Sequence, residues 1–283
     1  MNHSIPTFPL KSLVESTILR IFVTSLLTHI TNPMKKLLAM LLATLGLTTA
    51  CGQKNYPAPD VQVDVFHTNS GKPVRFHALM HASIRIEYDG REIEIDPVPR
   101  LGNRVTDYST MPKADYLLVT HEHADHYSPE AIRTLTGSDT RLVMNKRCAD
   151  LYGSGYAMQN GDTLRLSSDI TVQAVPAYNT TEGRSKYHPK GRDNGYILTI
   201  DGLRIYIAGD TEDIPEMSAV KDIDIAFLPC NQPYTMTPEQ LVRAAVTIRP
   251  KVLFPYHYGT TDVTAIPSQL ANDGIDVRIR HYE

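Results

Sequence analysis

The chain has 283 residues, of which 42% are hydrophobic and 21% are charged, and this is the composition of an ordinary globular protein that can bury a large core. The formal net charge is −3, but the first fifty residues carry four cations and one acid, so the rest of the chain stands at −6. This balance argues against a nucleic acid as partner, because phosphate binding needs a basic face, and it favours a small-molecule substrate.

The N-terminal segment has the features of an export signal. An apolar run at residues 37–47 directly follows Lys35 and Lys36. The run is shorter than the ~20 residues of a membrane-spanning helix, and this favours a secretory signal. Small residues then precede Cys51, a pattern that resembles a bacterial lipoprotein signal. We therefore expect an exported lipoprotein on the periplasmic side of a membrane, anchored by a lipid on Cys51; cleavage nearby without lipid is the alternative.

The same signals divide the chain into segments. Met34 stands directly before the basic pair, so residues 1–33 are expected to be an upstream extension or a false start, and residues 34–50 the signal peptide. Residues 51–72 begin with polar residues and prolines, as expected of a tether. The folded domain is predicted to span residues 73–283.

Beyond the tether, the sequence predicts strands that alternate with a few helices. Apolar alternation and short buried runs predict strands at residues 74–79, 83–88, 92–95, 116–119, 142–145, 170–174, 195–200, 204–208, 223–228 and 252–254. Helices are predicted after Ser128, at 148–152, at 238–248 with Thr237 as N-cap, and at 266–272. This order favours an α/β fold of two mixed β-sheets packed face to face with helices outside.

The strongest chemical signal follows the strand at 116–119. His121, His123, Asp125 and His126 place four candidate metal ligands within six residues. In an extended loop His121 and His123 project to the same side, while Asp125 and His126 lie where the chain turns into the next helix. A lone histidine is usually a packed or surface residue, but four donors at this spacing indicate a loop that serves two metal ions.

This motif resembles that of the metallo-β-lactamase superfamily, and the similarity runs from about Val74 to the C-terminus. The resemblance implies a metal-dependent hydrolase with the four-layer αβ/βα sandwich of that superfamily. A narrower resemblance, to the L-ascorbate-6-phosphate lactonase-like hydrolases, is carried by His81-Ala82-Ser83, Asp96-Pro97 and residues 208–211 and 233–238.

The resemblance also implies further ligands. Asp210, which follows a strand in a Gly-Asp pair, matches the carboxylate that bridges both ions, and His257 matches the last metal histidine. The family pattern expects a third histidine for the first ion where this chain has Asn179. His188, nine residues later, is the predicted substitute, because imidazole binds transition metals better than a neutral carboxamide does. The alternative is that Asn179 or water completes the site.

The expected cofactor is a pair of divalent ions, with zinc favoured and manganese or iron also suited to these ligands. Such a pair lowers the pKa of a bound water from ~15.7 toward ~7, so a metal-bridging hydroxide is the expected nucleophile on a small ester, lactone or phosphodiester. Asp125 and Asp210 are the predicted catalytic carboxylates. His81, Tyr234 and Tyr258 are predicted substrate contacts, with a structural role as the alternative for each.

Two other functions fit the same residues. One is a non-catalytic, metal-binding lipoprotein that keeps the fold, and the departure at Asn179 is the feature that favours it. The other is a di-iron redox site, which the same ligand set can support. The oligomeric state is not indicated by the sequence.

Overall fold

The structure, a computed structural model, describes residues 61–282. The predicted upstream extension, the signal peptide, Cys51 and the first part of the predicted tether lie outside the described residues. Within residues 61–282 no helix is both long enough and apolar enough to cross a membrane.

The first sheet has seven strands in the order β1-β2-β3-β4-β7-β8-β9. Strands β1 to β4 pair antiparallel, and β4, β7, β8 and β9 are parallel to one another. A two-stranded hairpin, β5-β6, lies between the two halves of the sheet along the chain. The bounds are β1 Gln62–His67, β2 Pro73–Met80, β3 Ser83–Tyr88, β4 Arg91–Ile95, β5 Arg100–Leu101, β6 Arg104–Val105, β7 Tyr116–Val119, β8 Arg141–Asn145 and β9 Tyr156–Met158.

The second sheet also has seven strands, and they follow the order of the chain from β10 to β16. Strands β10 to β13 pair antiparallel, and β13 to β16 pair parallel. Both sheets are therefore mixed. The bounds are β10 Thr163–Arg165, β11 Ile170–Ala177, β12 Asp193–Ile200, β13 Leu203–Ile207, β14 Ile225–Pro229, β15 Val252–Tyr256 and β16 Asp276–Val277.

Four α-helices lie within the described residues, and side-chain caps mark the starts of the first three. The bounds are α1 Pro129–Leu135, α2 Lys146–Tyr152, α3 Pro238–Ile248 and α4 Ile266–Gln269, with single 3₁₀ turns at Tyr108–Thr110 and Pro215–Ala219. The Ser128 hydroxyl accepts a hydrogen bond from the backbone N–H of Ala131 at the start of α1. Thr237 is the N-cap of α3, as the sequence predicts, and it forms a reciprocal capping box with Gln240.

Apolar strand faces meet between the sheets to form the central core. Ile84, Ile93 and Leu118 of the first sheet pack in the same cluster as Leu198 and Phe254 of the second. Helices α1 and α2 cover the outer face of the first sheet, and α3 and α4 cover that of the second. The predicted α/β fold of two face-to-face sheets with outer helices is confirmed.

One boundary predicted from the sequence is wrong. Residues 62–67, assigned to the tether, form β1 and pair with β2 in the first sheet. The hydropathy pattern of this strand is the reverse of its burial, because the apolar Val63 and Val65 are exposed whereas the charged Asp64 is buried. Arg278 and Arg280 pair with the Asp64 carboxylate and hold its pKa below the ordinary value in spite of its burial. Backbone pairing with β2, the packing of Phe66 against the core and this long-range ion pair together hold the strand.

Candidate metal centre

Polar side chains from several strand ends meet at one edge of the sandwich. Asp96 follows β4 and His121 follows β7, while Asp210 and His257 follow β13 and β15 in the second sheet. His81 reaches the same edge from the turn between β2 and β3. Side chains that are far apart in the sequence thus face one small volume.

The first group of donors contains His121, His123, His188 and Asp210, whose candidate ligand atoms all lie within 4.8 Å of one another. His121 Nε2 is 3.1 Å from His123 Nδ1, and His188 Nε2 is 3.2 Å from Asp210 Oδ2. Two nitrogens bound to one tetrahedral ion at ~2.1 Å lie about 3.4 Å apart. The spacing in this group is therefore that of ligands around one cation.

A second group contains His126, His257 and Asp210. His126 Nε2 is 3.2 Å and His257 Nε2 is 3.4 Å from Asp210 Oδ1. Asp210 presents its other oxygen, Oδ2, to the first group. One carboxylate thus faces both groups, which is the arrangement that the sequence resemblance expects of a bridging aspartate.

Asp125 belongs to a third group, with His81 and His257. Its Oδ2 is 3.3 Å from the Nε2 atoms of both histidines. The loop of residues 121–126 therefore contributes to every group. It does so with His121 and His123 in the first group, His126 in the second and Asp125 in the third.

Two carboxylates that the sequence reasoning did not select orient histidines of the centre. Asp96 Oδ2 accepts a hydrogen bond from Nδ1 of His126 at 2.8 Å, and Asp193 Oδ2 lies 3.1 Å from Nδ1 of His188. Both aspartates are fully buried. Such partners leave Nε2 of each imidazole for a metal and fix the orientation of the ring. The signal available for Asp96 was its place directly after a buried strand, the same place that Asp210 has.

Thr120 links the two halves of the main motif. Its hydroxyl donates to Asp96 Oδ2 at 2.7 Å and lies 3.0 Å from His121 Nδ1. Because the hydroxyl proton is used on Asp96, the Thr120 oxygen can only accept from His121. This contact assigns the proton of His121 to Nδ1. The lone pair of Nε2, the atom nearest His123, is then available to bind a metal.

The loop of residues 179–188 brings His188 into the first group. Asn179 N–H donates to the carbonyl of His188, and the Asn179 amide nitrogen donates to the carbonyl of Tyr234 at 2.7 Å. Glu212, fully buried, accepts from the backbone N–H groups of Thr180 and Thr181. Asn179 thus closes the base of the loop, while its end carries the imidazole that the family pattern would place at residue 179.

Burial and mutual charge set the protonation states of the centre. Burial opposes ionisation of Asp210, but the neighbouring His257 and His126 hold its pKa well below the ordinary range. Burial lowers the pKa of His121, so this ring is neutral. His188 is also buried, yet its hydrogen bonds to Asp193 and Asp210 raise its pKa to about 9. Anionic carboxylates are the form that binds a cation, and a bound cation displaces the proton held by a ring such as His188.

Unpaired buried atoms provide a direct test of whether these residues fit a metal. His126 Nε2, Asp210 Oδ1 and His257 Nε2 are buried and make no hydrogen bond among the described residues, although the two nitrogens lie 3.2 and 3.4 Å from the oxygen. Buried polar atoms rarely stay unpaired, because each costs about 1–3 kcal/mol. These orphan atoms converge on one volume, so the donor set fits divalent cations. Imidazole and carboxylate donors suit zinc, manganese and iron.

The three predicted substrate contacts have different positions. Tyr234 is 45% exposed and packs edge-on against Tyr187, the residue before His188, with 5.0 Å between the ring centroids. His81 is buried inside the centre. The Tyr258 hydroxyl donates to the carbonyl of Arg280 at 2.6 Å, which uses its single proton within the chain and favours the structural role that the sequence left open.

The chain is similar to known metal-dependent hydrolases. The family model of the β-lactamase superfamily domain matches residues 75–257. A UPF0173 metal-dependent hydrolase from Ligilactobacillus salivarius is 34% identical over 190 residues, which are 64% of this chain and 83% of that protein. A solved structure from Parabacteroides distasonis, provisionally described as a metal-dependent hydrolase, is 52% identical with a TM-score of 0.76, and the match covers 79% of this chain and 100% of the other. A novel metallo hydrolase from Ignicoccus hospitalis is 25% identical with a TM-score of 0.60, over 77% of this chain and 94% of the other.

Proposed function

This chain belongs to the metallo-β-lactamase superfamily and is a metal-dependent hydrolase, and on that premise we propose that it cleaves a small ester, lactone or phosphodiester. The observation that carries the proposal is the pair of donor groups that share Asp210. Two adjacent cation positions joined by one carboxylate are the arrangement used for hydrolysis at carbonyl and phosphoryl centres. The proposed cofactor is two divalent ions, with zinc favoured and manganese or iron as alternatives.

When bound, the ions supply a water of lowered pKa and polarise the bond to be cleaved. The side chains of the chain hold and orient this centre. His121, His123 and His188 would hold the first ion, and His126, His257 and Asp125 the second, with Asp210 between them. Asp96 and Asp193 keep the imidazoles of His126 and His188 in place through their Nδ1 atoms. Asp125, whose side chain is 32% exposed, is the carboxylate best placed to contact a water or substrate that enters from solvent.

The exposed surface beside the loop that carries His188 supports a substrate with an anionic group next to a flat or apolar one. Arg184, Lys190 and Arg192 of the loop that carries His188 are all paired with acidic side chains. Lys186 is exposed, has no ion pair among the described residues, and lies 5.0 Å from the centre of the Tyr187 ring. With Tyr234 it forms a cationic and aromatic rim. Tyr234→Ala should therefore raise KM more than it lowers kcat.

The narrower resemblance to lactonase-like hydrolases supports a lactone or ester as the first substrates to examine. It rests on His81-Ala82-Ser83 and residues 208–211, and these residues lie in the turn between β2 and β3 and directly after β13. We propose this branch as the source of the substrate class. A β-lactam is not favoured by it.

The test is a hydrolysis assay of the purified domain with a panel of lactones, phosphodiesters and thioesters, combined with metal analysis. We expect two metals per chain, turnover of at least one class, loss of turnover on chelation, and recovery with added divalent ion. Two bound metals without turnover of any class would favour the non-catalytic metal-binding lipoprotein. Iron content with redox turnover in place of hydrolysis would favour the di-iron site. Full activity in metal-free protein would contradict the proposal.

We also propose that the protein is exported and anchored by a lipid on Cys51. The support is Lys35 and Lys36, the apolar run at 37–47, and the small residues before Cys51. Cells that express the full chain should incorporate radioactive fatty acid into it, and Cys51→Ala should abolish the label. An unlabelled, cytoplasmic wild-type protein would contradict the proposal.

A further inference from the structure

Two histidines of the centre are held in an unfavourable backbone conformation. His81 has φ = 53° and His257 has φ = 48°. Non-glycine residues in this left-handed region cost of order 1–3 kcal/mol and persist only where the surroundings fix them, often at functional sites. Histidine tolerates the region better than most residues, but the same backbone would cost less with glycine or asparagine. The imidazole at each position is therefore retained for what its side chain does.

The backbone locks these two histidines to each other. The N–H of His257 donates to the carbonyl of His81 at 3.2 Å, and the N–H of His81 donates to the carbonyl of Tyr282 at 2.7 Å. Tyr282 is buried in the central core. As a result the two rings lie 3.7 Å apart between centroids, with an interplanar angle of 44°. The first sheet supplies one ring and the second sheet supplies the other.

Both rings direct the same atom at the same carboxylate. Nε2 of His81 and Nε2 of His257 each lie 3.3 Å from Asp125 Oδ2. The three candidate ligand atoms lie within 4.8 Å of one another, whereas His126 is grouped with Asp210 and His257 but not with Asp125. Asp125 thus has its nearest imidazole neighbours in His81 and His257. This differs from the ligand set inferred from the sequence, in which His81 contacts only the substrate.

We propose that His81 is a ligand of the second metal ion, together with Asp125 and His257. The proposal rests on the metal-dependent hydrolase function given above. His81 is only 4% exposed, so it lies inside the cluster of metal donors and away from the solvent-facing rim where Tyr234 lies. His257 also belongs to the group of His126 and Asp210, so His81 adds an imidazole to those that the sequence assigns to the second site.

The test is cobalt(II) titration of the metal-free domain, followed by visible absorption, with metal content after dialysis measured in parallel. The variant is His81→Asn, because asparagine adopts the left-handed backbone and removes only the imidazole. We expect the first cobalt to bind as in the wild type, the affinity for the second to fall by at least ~10-fold, and the spectrum of the second ion to change. His67→Asn, at an exposed histidine of β1, is the matched control and should bind both ions normally.

A double variant separates a ligand from a packing role. If His81 and Asp125 hold the same ion, the loss in His81→Asn/Asp125→Asn should be smaller than the sum of the two single losses. Wild-type affinity and spectrum in His81→Asn, with a change in KM alone, would overturn the proposal in favour of a substrate contact. If the wild type itself binds no second ion, the proposed function fails, and that result is distinct from failure of His81 alone. Thermal unfolding of the metal-free variants checks that each is folded, and His81→Gln provides a second substitution at the same position.

Discussion

Asp96 receives three hydrogen bonds: from the backbone N–H of Thr120, from the Thr120 hydroxyl, and from His126 Nδ1. Its backbone also lies in the left-handed region, with φ = 44°. A buried residue with these bonds can hold only one orientation. The ring of His126, which donates to it, is therefore held in one orientation, with Nε2 directed at Asp210.

Asp96→Asn should weaken the second metal site while leaving the first nearly intact. The amide of asparagine can present an N–H toward His126 Nδ1, which moves the imidazole proton to Nε2 and blocks that atom as a ligand. The affinity for the second ion should fall by ~10–100-fold, as for other outer partners of metal ligands. Titration with cobalt(II) measures both sites.

The matched variant is Asp193→Asn, which should act on His188 and therefore on the first ion. Equal loss of both ions in both variants would contradict this assignment of one carboxylate to each site.

Asp210→Ala should be the most damaging single change, because Asp210 is the residue that faces both donor groups. Both metal contents should fall, together with hydrolysis. Cys230→Ala is the control. Cys230 is buried, and burial raises the pKa of its thiol to about 12, so it is not a thiolate nucleophile. An inactive Cys230→Ala that retains its metals would show that a covalent thiol intermediate carries the reaction.

At the scale of elements, the loop of residues 179–188 determines how the first site is completed. Its base is closed by the hydrogen bond between Asn179 and His188, and its turn is held by Glu212, which follows β13 and Asp210. The same strand end thus supplies a candidate ligand and the anchor of the neighbouring loop. This coupling allows the imidazole to come from residue 188 when residue 179 is an asparagine.

His188→Ala should lower the affinity of the first site by ~10-fold or more. Asn179→Ala should have a smaller effect, because it removes hydrogen bonds to the loop but leaves the imidazole in place. Metal content after dialysis, measured on both variants, distinguishes them. If Asn179→Ala empties the first site and His188→Ala does not, the carboxamide is the ligand.

At the scale of the whole molecule, the outer face of the first sheet contains a carboxyl group that the fold holds neutral. Glu94 of β4 is 1% exposed, and neither of its oxygens has a hydrogen-bond partner among the described residues. Burial raises its pKa to about 8 from 4.5, against the opposing charge of Arg85. The folded state therefore keeps a proton that the unfolded chain releases.

Glu94→Gln should stabilise the protein increasingly as the pH rises. Between pH 4.5 and about 8 the folded wild type binds the extra proton, so its free energy of unfolding falls as the pH rises through that range. The glutamine variant lacks this dependence. Tm measured at pH 5 and pH 8 should therefore show a larger gain for the variant at pH 8.

Glu130→Gln, at an exposed carboxyl in the first turn of α1, is the control and should show no such trend. A constant difference between Glu94→Gln and the wild type across this range would contradict the prediction.

Much of the architecture is determined by local patterns in the sequence. The alternation of apolar and polar residues predicted most of the longer strands, and the N-caps Ser128 and Thr237 predicted the starts of α1 and α3. The spacing of residues 121–126 indicated a metal-binding loop, because adjacent donors on one short loop need no tertiary information to be recognised. The helix predicted to end at residue 272 ends at Gln269, since weak local preferences set helix ends poorly.

The tertiary structure decided the remaining features, because they depend on contacts between residues far apart in the chain. The buried aspartate of β1 has its ion-pair partners more than two hundred residues away in the chain. Asp96 acquires its role only when β4 brings it beside His126, thirty residues away in the chain. His81 meets Asp125 because a turn of the first sheet packs against the end of β15 in the second. Neither hydropathy nor spacing records such encounters, since each residue alone has the local pattern of an ordinary turn or strand end.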